Sequence, residues 1–266
     1  MPRRINKNLA IFIIILVIAL LTSLGLGYEK LSDSKIDRPI SSPKESGKKI
    51  NQFNKSQHSL NEATSLWVIV NKGRQLPKDY RPGNLGVPAV SLRDSRSSDN
   101  MLLRSDAASK LENLFADASS AGIKLMLVSG YRSYATQQVV YTNYVKAYGQ
   151  AYSDATSARA GHSEHQTGLA ADVGAVSRRC ELLKCFADLE EGAWITQNAH
   201  RFGYFVRYEK DKQSLTGYDF EPWHLRYVGK ELATQIKDSG QTLEQFFGLP
   251  AFSDYPSSIY RLLPVR

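Results

Sequence analysis

A chain of 266 residues, 42% hydrophobic and 23% charged, has the length for one or two domains and too much apolar content for wholesale disorder. Two cysteines exclude a disulfide-dense scaffold and a metal centre built from cysteine. A net charge of +8 suits nucleic acid, an anionic membrane or an acidic polymer without choosing among them. A mean hydropathy of -0.34 excludes a polytopic membrane protein but not a single span.

The N-terminus reads as one span. Arg3, Arg4 and Lys7 precede an apolar run from Leu9 to Leu26, close to the ~20 residues a helix needs to cross a bilayer. The run is longer than the ~7–15 residues of a signal-peptide core and lacks a small-x-small cleavage site. No cysteine follows it to take a lipid. Residues 1–28 are therefore predicted to be an uncleaved signal anchor, basic end in the cytoplasm and the rest outside. Residues 29–65 are rich in Ser, Lys, Asn and Asp and read as a flexible tether. A folded domain is expected over 66–249, with a C-terminal tail, 250–266, lacking any clear element.

Within that domain, Leu66 to Val70 reads as a buried strand. Pro77, Pro82, Gly83, Gly86 and Pro88 mark a loop-rich wrap. Ser105 or Asp106 can cap a helix whose Leu111, Leu114, Phe115 and Ala118 form one apolar stripe, ended by Gly122. A strand over Ile123–Val128 leads into Ser129-Gly130-Tyr131-Arg132-Ser133. A helix follows over Thr136–Tyr148, with Tyr141, Tyr144, Val145 and Tyr148 on one face, expected in the core. Strands are predicted at Leu169–Val173, Tyr204–Tyr208 and His224–Val228. A helix over Glu191–Phe202 is closed by Gly203, and Thr242-Leu243-Glu244-Gln245 has capping-box spacing for a last helix. No βαβ rhythm is present, so the fold class is α+β.

Five histidines occur. His58 in the tether and His200 in a helical pattern carry no site. The others lie in Gly161-His162-Ser163-Glu164-His165-Gln166-Thr167-Gly168-Leu169-Ala170-Ala171-Asp172 and in Glu221-Pro222-Trp223-His224. A catalytic zinc takes three N or O ligands and keeps a fourth position open. His165, Asp172 and His224 can supply two imidazoles and a carboxylate, and Glu221 stands close enough in sequence to act as a base beside them. His162 is the rival of His165. In an exported chain Cys180 and Cys185 are expected to pair, for at most ~2–3 kcal/mol given so short a loop.

Ser163-x-His165-x-x-Gly168-x-Ala170-x-Asp172 with Glu221-x-x-His224 resembles the VanY-type D-alanyl-D-alanine carboxypeptidases, zinc peptidases that share a fold with lysostaphin-type enzymes and the hedgehog signalling domain. The resemblance runs from about Leu66 to Leu249. It includes Ser129 to Ser133 followed by Gln138, the segment Phe202 to Tyr208, and Glu221 to Tyr227. It implies a small antiparallel sheet flanked by helices, with Zn2+ held by His165, Asp172 and His224. It implies Glu221 as catalytic base and Arg132 on the substrate carbonyl and the oxyanion formed from it. Ser163 and Gln138 are candidate donors to the peptide end, and Trp223 is expected to pack beneath the zinc site.

The function so implied is a membrane-anchored, extracytoplasmic carboxypeptidase that removes terminal D-Ala from peptidoglycan stem peptides, preferring the D,D bond of the pentapeptide. Rival readings are an L,D-carboxypeptidase acting on tetrapeptides, a wall endopeptidase, and a non-catalytic wall-binding module with structural zinc. The last has no use for Glu221 or Arg132. A nucleic-acid partner is not expected, because the chain is exported and its basic residues do not cluster with aromatics.

Overall fold

The computed structural model describes residues 53–264. The predicted signal anchor and the tether up to residue 52 lie outside the described residues. Among the described residues, no helix is long and apolar enough to cross a membrane.

In chain order the strands are β1 (Arg74–Gln75), β2 (Leu85–Gly86), β3 (Leu103–Arg104), β4 (Leu125–Ser129), β5 (Ala170–Ala175), β6 (Tyr204–Tyr208), β7 (Glu221–Tyr227) and β8 (Tyr260–Arg261). The helices are α1 (Ser105–Ser120), α2 (Tyr134–Tyr148), α3 (Gln150–Thr156), α4 (Glu190–Asn198), α5 (Gln213–Thr216), α6 (Lys230–Ser239) and α7 (Leu243–Phe247). β4, β5, β7 and β6 form a four-stranded sheet in that order, antiparallel throughout. The α+β expectation holds.

One face of the sheet is covered by α1. Its Leu111, Leu114 and Phe115 join Leu127, Val173 and Leu225 in the main core, as the stripe predicted. The cap differs from expectation: Arg104 occupies the N-cap position, and no side chain caps the helix there. The capping box at Thr242 and Gln245 is formed in full. A second cluster gathers Phe205 with Leu232, Ile236, Leu243 and Phe246, so α6 and α7 pack beside β6.

Three expectations are corrected. Trp67–Val70 is buried and Leu66 partly so, but the segment is not a strand. Its carbonyls are taken by arginines instead of a neighbouring strand. Arg226 Nη2 donates to Leu66 O at 3.1 Å and Val68 O at 2.8 Å, and Arg74 Nε donates to Ile69 O at 2.9 Å. Buried carbonyls need a partner of some kind, and periodicity does not reveal which kind.

The compact unit also begins at Phe53 rather than 66. Phe53 stacks on Trp67 with ring centroids 5.4 Å apart, and His58 lies edge-on to the same ring. Arg74 Nη2 donates to Leu60 O and to Asn61 Oδ1. A few anchoring side chains suffice to dock a segment whose composition is polar. The tail, third, is not featureless: β8 pairs in parallel with β1, and Leu262 is buried.

A fragment starting at residue 66 should therefore be at least ~2 kcal/mol less stable than one starting at Phe53, through the lost stack and hydrogen bonds. That corresponds to a Tm lower by ~4–8 °C for a domain of this size. Equal thermal unfolding of the two fragments would contradict the docking.

Candidate active site

The sheet register builds the site. Asp172 on β5 lies directly opposite His224 on β7. Between Val206–Leu225 and Tyr208–Glu221 the β6–β7 pairing shifts by two residues on β7. Such a bulge re-aims side chains, and here it brings Glu221 Oε2 to 3.7 Å from His224 Nδ1. His165 comes from a 3-10 turn, Glu164–Thr167, that immediately precedes β5. Gly168 ends that turn at φ +68, where an added Cβ would also meet Leu85 Cδ2 at 2.9 Å. Both backbone and space call for glycine there.

His165, Asp172 and His224 each offer a ligand atom within 4.8 Å of the others, and all three are buried. Each imidazole has one nitrogen turned outward from this group. His165 Nδ1 meets Gly130 O at 2.5 Å, while its Nε2 lies 3.2 Å from Asp172 Oδ2. His224 Nε2 faces Glu164 Oε2 at 3.4 Å, while its Nδ1 lies 3.2 Å from Asp172 Oδ1. A carbonyl and a carboxylate behind the rings fix their orientation and tautomer as metal sites require. Asp172 Oδ1 is buried and, though 3.2 Å from His224 Nδ1, is not aligned to accept a hydrogen bond from it. Two imidazoles and an oxygen left free suit a hydrolytic zinc with an open position. Zinc, when bound, polarises a water molecule and the substrate carbonyl.

Glu164 anchors the back of the site. Its Oε1 receives Arg207 Nε at 2.9 Å and Arg226 Nη1 at 3.0 Å, all three side chains having no exposure. Arg207 also forks onto Glu244, at 2.6 and 3.1 Å, and Asn71 Nδ2 donates to Glu244 Oε1. Burial opposes the ionisation of Glu164, but the two guanidiniums overcome it and hold the carboxyl well below its usual range. Sequence reading passed over Glu164. Nothing local marks it among the polar residues of the Gly161–Asp172 run, and its partners are some 40 to 60 residues away.

Burial alone would lower His224, yet the carboxylates of Asp172 and Glu164 outweigh it and raise the imidazole to about 9. Burial pushes Glu221 up to about 8; His224 opposes the rise and the Asp172 charge adds to it. A divalent cation in the adjacent trio pulls such a carboxyl back toward ionisation. His165 is shifted down, chiefly by burial.

A cleft of about 510 Å³ opens on these groups. Arg132, Ser163, Tyr208, Glu221, Trp223, His165, Asp172 and His224 line it, together with Tyr144 and Tyr152. Arg132 is aimed by two contacts: Nη1 donates to Gln137 Oε1 at 2.9 Å and Nη2 to Ser129 Oγ at 3.0 Å. Those contacts leave other guanidinium N–H groups for a ligand.

Gln138 is a correction. It is exposed and lines a second cavity, whereas its neighbour Gln137 is buried, lines the cleft and also binds Ala158 O. Adjacent helical residues point ~100° apart, so a slip of one moves the side chain out of the site. His162 is set apart from the trio: its Nδ1 meets Asn71 O at 2.8 Å, and it lines the second cavity. Trp223 packs against the core and also reaches the cleft wall. Cys180 and Cys185 are bonded to each other, and the adjoining Leu182 and Leu183 form part of the cleft lining.

The family model for VanY, D-alanyl-D-alanine carboxypeptidase, matches residues 100–230. The protein YodJ of Bacillus subtilis (strain 168), named for a proposed carboxypeptidase activity, is 39% identical over 189 residues, 71% of this chain and 69% of its own. The chain belongs to the VanY family. Among solved structures, the LdcB LD-carboxypeptidase superposes with a TM-score of 0.67 at 36% identity, covering 75% of this chain and 89% of that one. A variant of the vancomycin-resistance D,D-pentapeptidase VanY, solved with Zn(II), superposes with a TM-score of 0.56 at 32% identity, covering 70% and 99%. The protein is thus a zinc-dependent carboxypeptidase of the D-alanyl-D-alanine carboxypeptidase family.

Zinc bound through His224 would have to displace the proton that this imidazole holds up to about 9. Apparent zinc affinity should therefore rise with pH, by up to about tenfold per unit between about pH 6 and pH 8. Competition against a chelator of known affinity measures this, and a flat profile would contradict the carboxylate-backed histidine.

Proposed function

We propose that this enzyme works outside the cytoplasmic membrane and removes terminal D-Ala from peptidoglycan stem peptides one residue at a time. We assign His165, Asp172 and His224 as the zinc ligands and Glu221 as the base that takes the proton of the attacking water and passes it to the leaving amine. Arg132 stabilises the charge that develops on the carbonyl oxygen, a role worth about 3–4 kcal/mol for a well-placed donor. The observation that carries the reading is the meeting of Glu221, Arg132 and the ligand trio in one cleft. A structural zinc site would need neither of the first two.

Exo-action is supported by the donors beside the trio. A substrate carboxylate loses its water in a cleft and must find hydrogen bonds there. Arg132, Ser163 and Gln137 line the cleft, and an endopeptidase would have no use for a carboxylate clamp. Location outside the membrane is supported by the apolar run Leu9–Leu26 behind its basic residues and by the Cys180–Cys185 bond.

On the bond that is cut, two observations pull apart. The family description and the sequence motifs favour the D,D bond of a pentapeptide. Backbone likeness does not separate the two, since the L,D-carboxypeptidase DacB and VanY both superpose with a TM-score of 0.56, but LdcB and DacB are 36% and 37% identical to this chain and VanY 32%. The identity to the solved L,D enzymes is given more weight, and the L,D bond of the tetrapeptide is the preferred assignment.

Incubation of the zinc-loaded exported part with defined tetra- and pentapeptide stems should release single alanines. The tetrapeptide should be favoured at least about tenfold in kcat/KM, some 1.4 kcal/mol of transition-state binding. A preference of that size for the pentapeptide would restore the D,D assignment. Equal cutting of a stem with an amidated C-terminus would overturn exo-action itself.

A further inference from the structure

Helix α2 is unusual in what it leaves exposed. Its tyrosine face was expected in the core, but Gln137 is the one buried residue of the helix. Tyr144 and Tyr148 are 39% and 61% exposed, and Tyr152 on α3 is 53% exposed. The three rings form a ladder, with centroids 5.6 Å apart between Tyr144 and Tyr148 and 5.1 Å between Tyr148 and Tyr152.

The ladder is held in place rather than loosely displayed. Gly149, at φ +82, turns the chain between the two helices. Asp154 on α3 accepts from Tyr141 Oη of α2 at 2.7 Å and is clamped by Arg159 at 2.8 and 2.9 Å. Three contiguous exposed aromatics on a fixed surface call for an occupant.

The ladder is also continuous with the cleft. Gln137, Val140, Tyr144 and Tyr148 lie on one stripe of α2, and Gln137, Val140, Tyr144 and Tyr152 line the cleft. The stripe starts beside Arg132, at the reacting end. From Gln137 to Tyr148 it runs about 16 Å, at ~1.5 Å per residue. An extended peptide of four or five residues covers about 13–18 Å. A stem with its C-terminal bond at the ligand trio therefore brings its N-terminal end, which is joined to the glycan, to the outer tyrosines.

Resting on the stem-peptide reading above, we propose that Tyr148 and Tyr152 form a saccharide subsite that stacks the pyranose rings of the glycan to which the stem is attached. Tyrosine suits this occupant. Its ring face packs against the C–H face of a sugar while the hydroxyl, at the wet end, meets the sugar's own hydroxyls. The enzyme then selects stems still carried on glycan over free peptides, by KM rather than by kcat.

The test compares alanine release by the zinc-loaded protein from a free tetrapeptide and from the same tetrapeptide on its disaccharide. Direct binding of a stem-free glycan oligosaccharide is measured in parallel by NMR titration. The disaccharide substrate should have a KM about 5-fold lower. Tyr148→Ala should bring the ratio of the two KM values to about one and abolish oligosaccharide binding, while Tyr148→Phe should retain most of both. Equal KM values in the unsubstituted enzyme, or no oligosaccharide binding, would overturn the proposal. So would tyrosine-dependent self-association or vesicle binding in place of saccharide binding, which would give the face to another occupant. Oligosaccharide binding that depends on Tyr148, without alanine release from either substrate, would uphold the subsite and instead sink the stem-peptide reading.

Discussion

One buried carboxylate ties the fold to the site. Glu164 has no exposed surface, and it joins Arg207 of β6, Arg226 of β7 and His224 in a single contact set. Two guanidiniums taken from water demand compensation, and removing one partner of such a cluster costs about 3–5 kcal/mol. The same arginines satisfy the carbonyls of Leu66 and Val68 and, through Glu244, reach α7. Glu164 thus holds the strands, the docked N-terminal segment and the last helix to one centre, and directs the ring of His224, a candidate zinc ligand, from that centre.

Around it, the sheet supplies position and the irregularities supply chemistry. A regular antiparallel register sets Asp172 across from His224. The two-residue shift in β7 adds Glu221 to the same side. The turn ended by Gly168 brings in His165, whose backbone carbonyl also accepts the Arg132 N–H at 3.2 Å. Arg132 is in this way fixed to the ligand turn by its main chain and to Gln137 and Ser129 by its side chain. An activated water and an oxyanion donor need a spacing held to fractions of an ångström, and here short connections through one turn hold it.

Much of this was legible in the sequence. The chemistry of His165, Asp172, His224 and Glu221, with the family resemblance that adds Arg132, points to five residues, and the structure brings all five into one cleft. The stripe of α1 and the capping box of α7 are local signals and were read correctly. What was not legible depends on tertiary context. Helical periodicity places Tyr144 and Tyr148 on one face but does not say whether that face meets a core or a substrate cleft. Gln137 and Gln138 are chemically identical, so only the helix phase assigns one to the site. Phe53 and Leu60 sit in polar sequence, and their docking on Trp67 and Arg74 is a long-range event that composition averages away.

The central claim is that Glu221 moves the proton while the trio holds zinc. It is tested most directly by Glu221→Gln, with zinc content and alanine release measured on the same sample. The account predicts about one zinc per chain, an unchanged fold and turnover reduced at least about a hundredfold, because an amide cannot accept the proton of the attacking water. Near-normal turnover with zinc retained would contradict it.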